Sequence, residues 1–339
     1  MTEQHTQHNN VPAKQIPLHQ QAQQYLDNQQ WSEAETAFRA LLQENEDDER
    51  ALEGLAKTLD QLGDYIALYN ETQRFTENHP GSAIALANKA RALQKQDRLS
   101  EATIANDQAL LLDTNLPLAW LNRSGLQLLQ KHYPEALRYA DRAIELAPQD
   151  ARAWANKGVA LLNLNQSLEA LGMLERALSF DPNYLFALQI KGDLLRRFAR
   201  IPETVETMQQ ALEIAPHDVS SLTIMAQALR ALGEFTLLQQ IVERLLLQAP
   251  QNLLAWECYF QALRGQGKFQ EAIPAIDKAI ELEPGNVRFW TIKADNLCRL
   301  ERYREASNVA GQALNLDADY PPARRIHEKA IKLMYQRKP

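Results

Sequence analysis

A 34-residue interval separates Ala102 from Ala136 and Ala136 from Ala170 in this chain, and it recurs between Trp120 and Trp154, between Trp256 and Trp290, and along Pro148, Pro182 and Pro216. A period of that length is one helix–turn–helix unit, which cannot bury its apolar face alone and does so by stacking on copies of itself. Running the period both ways from Trp154 gives nine repeats without insertion or deletion, starting at Gln15, Glu49, Ala83, Pro117, Ala151, Leu185, Val219, Leu253 and Val287. The ninth ends at Tyr320.

Four columns of this alignment stay in phase from end to end. The fourth is large and apolar: Leu18, Leu52, Leu86, Trp120, Trp154, Leu188, Leu222, Trp256 and Trp290. The eighth, twentieth and twenty-seventh are mostly small, as at Ala56, Ala90 and Gly158, at Ala102, Ala136 and Ala170, and at Ala109, Ala143 and Ala177. Small residues on facing helices let an antiparallel pair approach closely. Prolines end the second helix at Pro80, Pro148, Pro182, Pro216, Pro250 and Pro284. The last column offers helix N-caps at Asp48, Ser82, Asp150, Asp218, Asn252 and Asn286. Pro134 and Pro202 fall in the first turn of a second helix, where a missing N–H costs little.

These columns resemble those of the tetratricopeptide repeat family over residues 15–320. The resemblance implies an all-α, right-handed superhelical solenoid of nine 34-residue helix–turn–helix repeats, with an inner groove lined by the first helix of each repeat. Pro321 to Gln336 reads as a C-terminal capping helix within a basic end segment, 321–339. Residues 1–14, rich in Gln, His and Asn, read as a disordered polar tail. Three departures carry expectations of their own. Phe260 stands in a small-residue column and needs space opposite Ala272 and Ala279. Pro274, about one turn into a second helix, should kink it. Lys89, Arg123, Lys157, Lys191 and Lys293 occupy the seventh column, where alkyl stems would cover the helix seam while the charges reach water.

Charge and composition narrow the class of protein. The formal charge is −7, yet 321–339 carries a net +5, which leaves −12 on the rest. A solvated cap face accounts for the basic end, so nucleic acid and membrane are disfavoured partners. No leader-like segment is present, and no apolar run approaches the length of about 18 residues that a membrane-spanning helix needs. Cys258 and Cys298 are too scattered for a disulfide framework. A cytoplasmic chain with two free thiols is the expectation.

Catalytic chemistry finds no foothold. Gly265-Gln266-Gly267-Lys268 lacks the full spacing of a phosphate loop and falls in an inter-helix turn. His5, His8, His19, His79, His132, His217 and His327 form no metal-ligand pair at a recognisable spacing. A non-enzymatic scaffold or adaptor without cofactor or metal follows, and its ligand is a protein or peptide, bound in the groove as an extended peptide or as a partner's helix.

In repeats of this family, columns two, five, six, nine, twelve and thirteen face the groove. Column six holds Asn88, Asn122 and Asn156 in consecutive repeats. A carboxamide offers donor and acceptor together and suits the peptide units of an extended chain. The repeat region of O-linked N-acetylglucosamine transferases is similar, with an asparagine column that holds peptide backbone. The implied peptide-binding set is Asn88, Asn122, Asn156, Arg91, Arg152, Leu118 and Phe186, within 83–190. Asn in column six should then contribute little to helix packing. Column nine of later repeats (Asp193, Gln227, Gln261, Asp295) reads as polar to acidic. The family's carboxylate clamp fits in no register: anchored on Asn122, it meets Ala87 where a lysine is required. The remaining alternative is a targeting or regulatory subunit of a separate enzyme, using its outer face or basic end.

Overall fold

The computed structural model describes residues 17–336, so the tail expected over 1–14 and the charges of Arg337 and Lys338 lie outside the described residues. Within them are nineteen α-helices and no strand. The first helix of each repeat is termed helix A and the second helix B. The first three A/B pairs are α1 (Leu18–Asp27) with α2 (Trp31–Glu44), α3 (Glu49–Leu62) with α4 (Tyr65–Asn78), and α5 (Ala83–Lys95) with α6 (Leu99–Leu112). The next three are α7 (Pro117–Leu129) with α8 (Tyr133–Leu146), α9 (Ala151–Asn163) with α10 (Ser167–Phe180), and α11 (Leu185–Arg197) with α12 (Ile201–Ile214). The last three are α13 (Val219–Leu232) with α14 (Phe235–Gln248), α15 (Leu253–Gly265) with α16 (Ala272–Leu282), and α17 (Val287–Arg299) with α18 (Tyr303–Leu316). A final helix, α19 (Pro321–Gln336), follows. None of the described helices is long and apolar enough to cross a membrane.

Each A-to-B turn uses the same backbone device. The fifteenth residue of every repeat sits in the left-handed region: Gln29, Asp97, Lys131, Asn165, Ala199 and Glu301 at φ from 57° to 64°, and Gly63, Gly233 and Gly267 at 72° to 77°. The N–H of the following residue then reaches back five residues, as from His132 to the Gln127 carbonyl at 2.9 Å and from Arg302 to Leu297 at 3.0 Å. This six-to-one bond is the Schellman closure, which satisfies carbonyls that the helix end leaves open. The six expected N-caps all accept a backbone N–H, from Ala51 to Asp48 through Arg288 to Asn286. Asp64 adds a cap on α4 by accepting from Ala67.

Packing follows the columns. Ala102, Ala136, Ala170, Ala272 and Ala306 are fully buried, as are Ala109, Ala177 and Ala313. Phe260 is 1 % exposed and packs with Ala272, Ala275 and Ala279, so the space opposite it is present. In column four Leu52, Leu188 and Leu222 are buried, whereas each tryptophan is half-buried for a reason of its own. The indole N–H groups of Trp120, Trp154, Trp256 and Trp290 each donate at 2.8 Å to the carbonyl six residues upstream, at Thr114, Pro148, Pro250 and Pro284. That bond ties helix A to the loop entering it. Arg324, in the equivalent place on α19, donates to the Ala318 carbonyl at 2.9 Å. The cap is therefore built as the helix A of a further repeat.

Two expectations change. Pro274 does not kink a long helix: α16 starts three residues later than its equivalents, after a turn over 269–271, which puts Pro274 near its N-terminus. The Ile273 N–H bonds Gln270, and the Phe269 carbonyl accepts instead from the buried Asn296 side chain at 2.7 Å. Three of the five seventh-column bases do not simply reach water. Arg123, Lys157 and Lys293 pair with Asp107, Asp141 and Asp277 on helix B of the repeat before, the two lysine pairs at 2.7 and 2.6 Å. The chain divides into two compact units, 1–170 and 171–339, the division falling inside α10.

Candidate protein-binding surface

In the N-terminal unit, the helix A face is organised by bonds between successive repeats. Asn122 Nδ2 donates to the Ala87 carbonyl of the preceding helix A at 2.8 Å, and Asn156 Nδ2 to that of Leu121 at 3.4 Å. Asn88 turns back on its own helix and donates to Ile84 at 3.0 Å. Asn122 is 1 % exposed and its Oδ1 is buried without a partner; Asn88 is 7 % exposed. Column six therefore does pack helix against helix here, contrary to the expectation that it would contribute little. Asn156 alone of the three is half-buried.

The cations of this face have acid partners. Arg91 meets Asp60 of the preceding helix A through two bonds of 3.0 Å. Arg152 bonds Asp150, the N-cap of its own helix, at 2.8 and 3.0 Å. Burial pushes the Asp150 carboxyl up, but the hydrogen bonds and charge of Arg152, helped by Arg91, hold it below its usual range. The Lys95 pKa is lowered too, there because burial and the nearby Arg91 charge disfavour its charged form. Leu118 is half-buried beside Trp120, and Ile84 is half-buried on α5. Phe186 belongs to the C-terminal unit, on α11, and is 39 % exposed.

The C-terminal unit carries a feature that column nine concealed. Column twelve holds Arg196, Arg230 and Arg264 in three consecutive repeats. Arg196 and Arg197 share Asp193, each at 2.6 Å. Arg230 lies 3.9 Å from Glu257, which Arg288 also engages. Arg264 and Arg299 share Asp295, the latter at 3.3 Å. The acidic reading of this face is thus corrected: six arginines surround three carboxylates. The same 34-residue spacing that located the alanines would have located these arginines. Near them, Cys258 is buried and unbridged, and burial pushes its thiol up to about 11 while Arg230 pulls it down.

Models of the tetratricopeptide repeat match residues 19–65, 139–172 and 263–330. No curated protein sequence matches the chain. Solved structures do. YrrB, described as a TPR protein with an unusual peptide-binding site, is 18 % identical at a TM-score of 0.53, over 56 % of this chain and 97 % of that one. PilF of Pseudomonas aeruginosa is 20 % identical at 0.52, over 61 % and 95 %. The APC/C hetero-tetramer Cut9–Hcn1 gives 16 % identity at 0.55, over 88 % of this chain but only 59 % of that one. At these identities the likeness is one of fold.

Proposed function

We propose that this chain, which belongs to the tetratricopeptide repeat family, is a non-enzymatic scaffold that holds an extended segment of a partner protein along its helix A face. Proteins of this family generally mediate protein–protein interactions. One observation carries the reading: helices A present side chains in register, one set per repeat, and part of each set is left accessible. In the N-terminal unit that accessible set is Leu118, the Asn156 carboxamide, and the outer edges of Arg91 and Arg152. The structure bears on how the asparagines would work. Asn122 and Asn88 hold the platform in shape, and Asn156 is the rung with an amide left to meet a peptide unit. Phe186 would add an apolar contact in the C-terminal unit.

A second reading has its own observation. Leu111 is 84 % and Leu112 50 % exposed beside a cleft of about 420 Å³ that Pro80, Leu86 and Lys89 also line. That cleft lies against helices B, and it suits a regulatory or targeting subunit that docks by its outer face. Binding of the native partner from an extract of the source cells separates the two. Changing Leu118→Asp with Asn156→Ala should abolish capture and leave circular dichroism unchanged, whereas Leu111→Asp should not affect it. The opposite pattern overturns the helix A reading.

A further inference from the structure

From the two-to-one stoichiometry of its arginine clusters, we propose that the helix A face of the C-terminal unit binds an extended acidic protein segment, with a carboxylate at about every third residue. This goes beyond the N-terminal site and does not depend on it. A carboxylate neutralises one guanidinium and accepts two parallel bonds from it. Here each of Asp193, Glu257 and Asp295 serves two arginines, so each cluster keeps one positive charge and unused N–H donors. Arg230 has the longest ion pair of the six: its contact to Glu257 is 3.9 Å, Glu257 also accepts from Gln261 at 3.2 Å, and its other partner, the Cys258 thiol, is an uncharged acceptor. Arg196 Nε is buried with no acceptor. The side chains of Arg196, Arg230 and Arg264 remain 31 %, 35 % and 29 % exposed, which leaves them within reach of a ligand.

The spacing sets the ligand. Column twelve delivers one arginine per repeat, and neighbouring helices A lie roughly 10 Å apart. A peptide in the extended polyproline II form has three residues per turn and advances about 3.1 Å per residue, so carboxylates three residues apart share one face and meet successive arginines. A nucleic acid is disfavoured on the same face: it carries a charge at every residue rather than every third, which sets phosphates against the resident Asp193, Glu257 and Asp295 as well as against the arginines.

The test uses the full chain and fluorescein-labelled ten-residue peptides, read by fluorescence anisotropy. One peptide carries Glu at positions 1, 4, 7 and 10 among Ser and Thr. A second has the same composition with the four Glu contiguous, a third has Gln for every Glu, and a single-stranded oligouridylate is the nucleic-acid probe. The spaced peptide should bind at least tenfold tighter than the contiguous one, with affinity falling as salt rises from 50 to 300 mM. The Gln peptide and the oligouridylate should not bind. R230Q should weaken the spaced peptide about tenfold at unchanged helix content, whereas R74Q, which removes an exposed cation from the N-terminal unit, should not. Should R230Q unfold, R197Q serves in its place, since Arg197 is 57 % exposed. Equal affinity for the spaced and contiguous peptides, indifference to both arginine variants, or preferred binding of the oligouridylate overturns the proposal.

Discussion

Changing Asn122 to aspartate keeps the shape of the side chain and replaces its donor with an acceptor. In the native chain Nδ2 donates to the Ala87 carbonyl at 2.8 Å from a site 1 % exposed. The variant would bury a carboxylate against that carbonyl. Two costs follow. Loss of the hydrogen bond is worth about 1 kcal/mol. Ionisation in a dry site raises a carboxyl pKa by up to about 3–5 units. At pH 7 the penalty is limited by the alternative of staying protonated, about three units above the ordinary value, or roughly 4 kcal/mol at about 1.4 per unit. The sign of the pH dependence is fixed by this. The folded-state pKa lies above the unfolded one, so the ionisation penalty vanishes below about pH 4 and grows as pH rises toward the folded pKa. A protonated carboxyl can even donate to Ala87 again. Asn156→Asp is the control, since Asn156 is half-buried and its bond is 3.4 Å long; it should cost about 1 kcal/mol or less. Urea unfolding at pH 4.5 and 7.5, with hydrogen exchange over 83–129 to catch local opening of α5 and α7, measures both. If the two variants lose the same stability at pH 7.5, or Asn122→Asp shows no pH dependence, the Asn122 amide is solvated and the packing role assigned to it is wrong.

The left-handed turn residues and the close glycines make opposite predictions for the same exchange of methyl and hydrogen. Ala199, at φ 57°, bears the left-handed steric cost that glycine escapes; after allowing for the freer unfolded chain, Ala199→Gly should raise unfolding stability by about 0.5–1 kcal/mol, read as a higher urea midpoint. A Cβ on Gly54 would come within 2.2 Å of the Phe38 ring of the preceding repeat, so Gly54→Ala should destabilise by about 1–3 kcal/mol. Hydrogen exchange should confine that loss to α2, α3 and their neighbours, because a stack of repeats transmits strain by contact.

What was legible in the sequence divides along a physical line. Residue size, N-caps and turn positions recur with the 34-residue period because each repeat solves the same packing problem, and one column shows them. The turn itself is an instance: Gly63, Gly233 and Gly267, and less strongly Asn165 and Asp97, advertise a left-handed residue by type, yet Lys131 and Ala199 adopt it because their column requires it. Partnerships between columns were less visible, although Asp107 and Arg123, Asp141 and Lys157, and Asp277 and Lys293 all share one sequence interval. Spacing offers the candidates, and only the packing of helix B on the next helix A joins them. The asparagines show the limit most sharply. Residue type is the same at Asn88, Asn122 and Asn156, but the amide turns toward a carbonyl of its own helix, toward a neighbour, or partly to solvent according to the local approach of backbones. Charge excess is a further step removed, because it is a ratio between columns. Asp60–Arg91 and Asp150–Arg152 bind one cation to one acid on the N-terminal helix A face, with Lys95 beside Arg91 the exception. In the C-terminal unit the same kinds of column hold two arginines to each acid, and the surplus is left for a ligand to neutralise. Two surfaces built by one repeat thus differ in what they attract, while the columns that fold them remain alike.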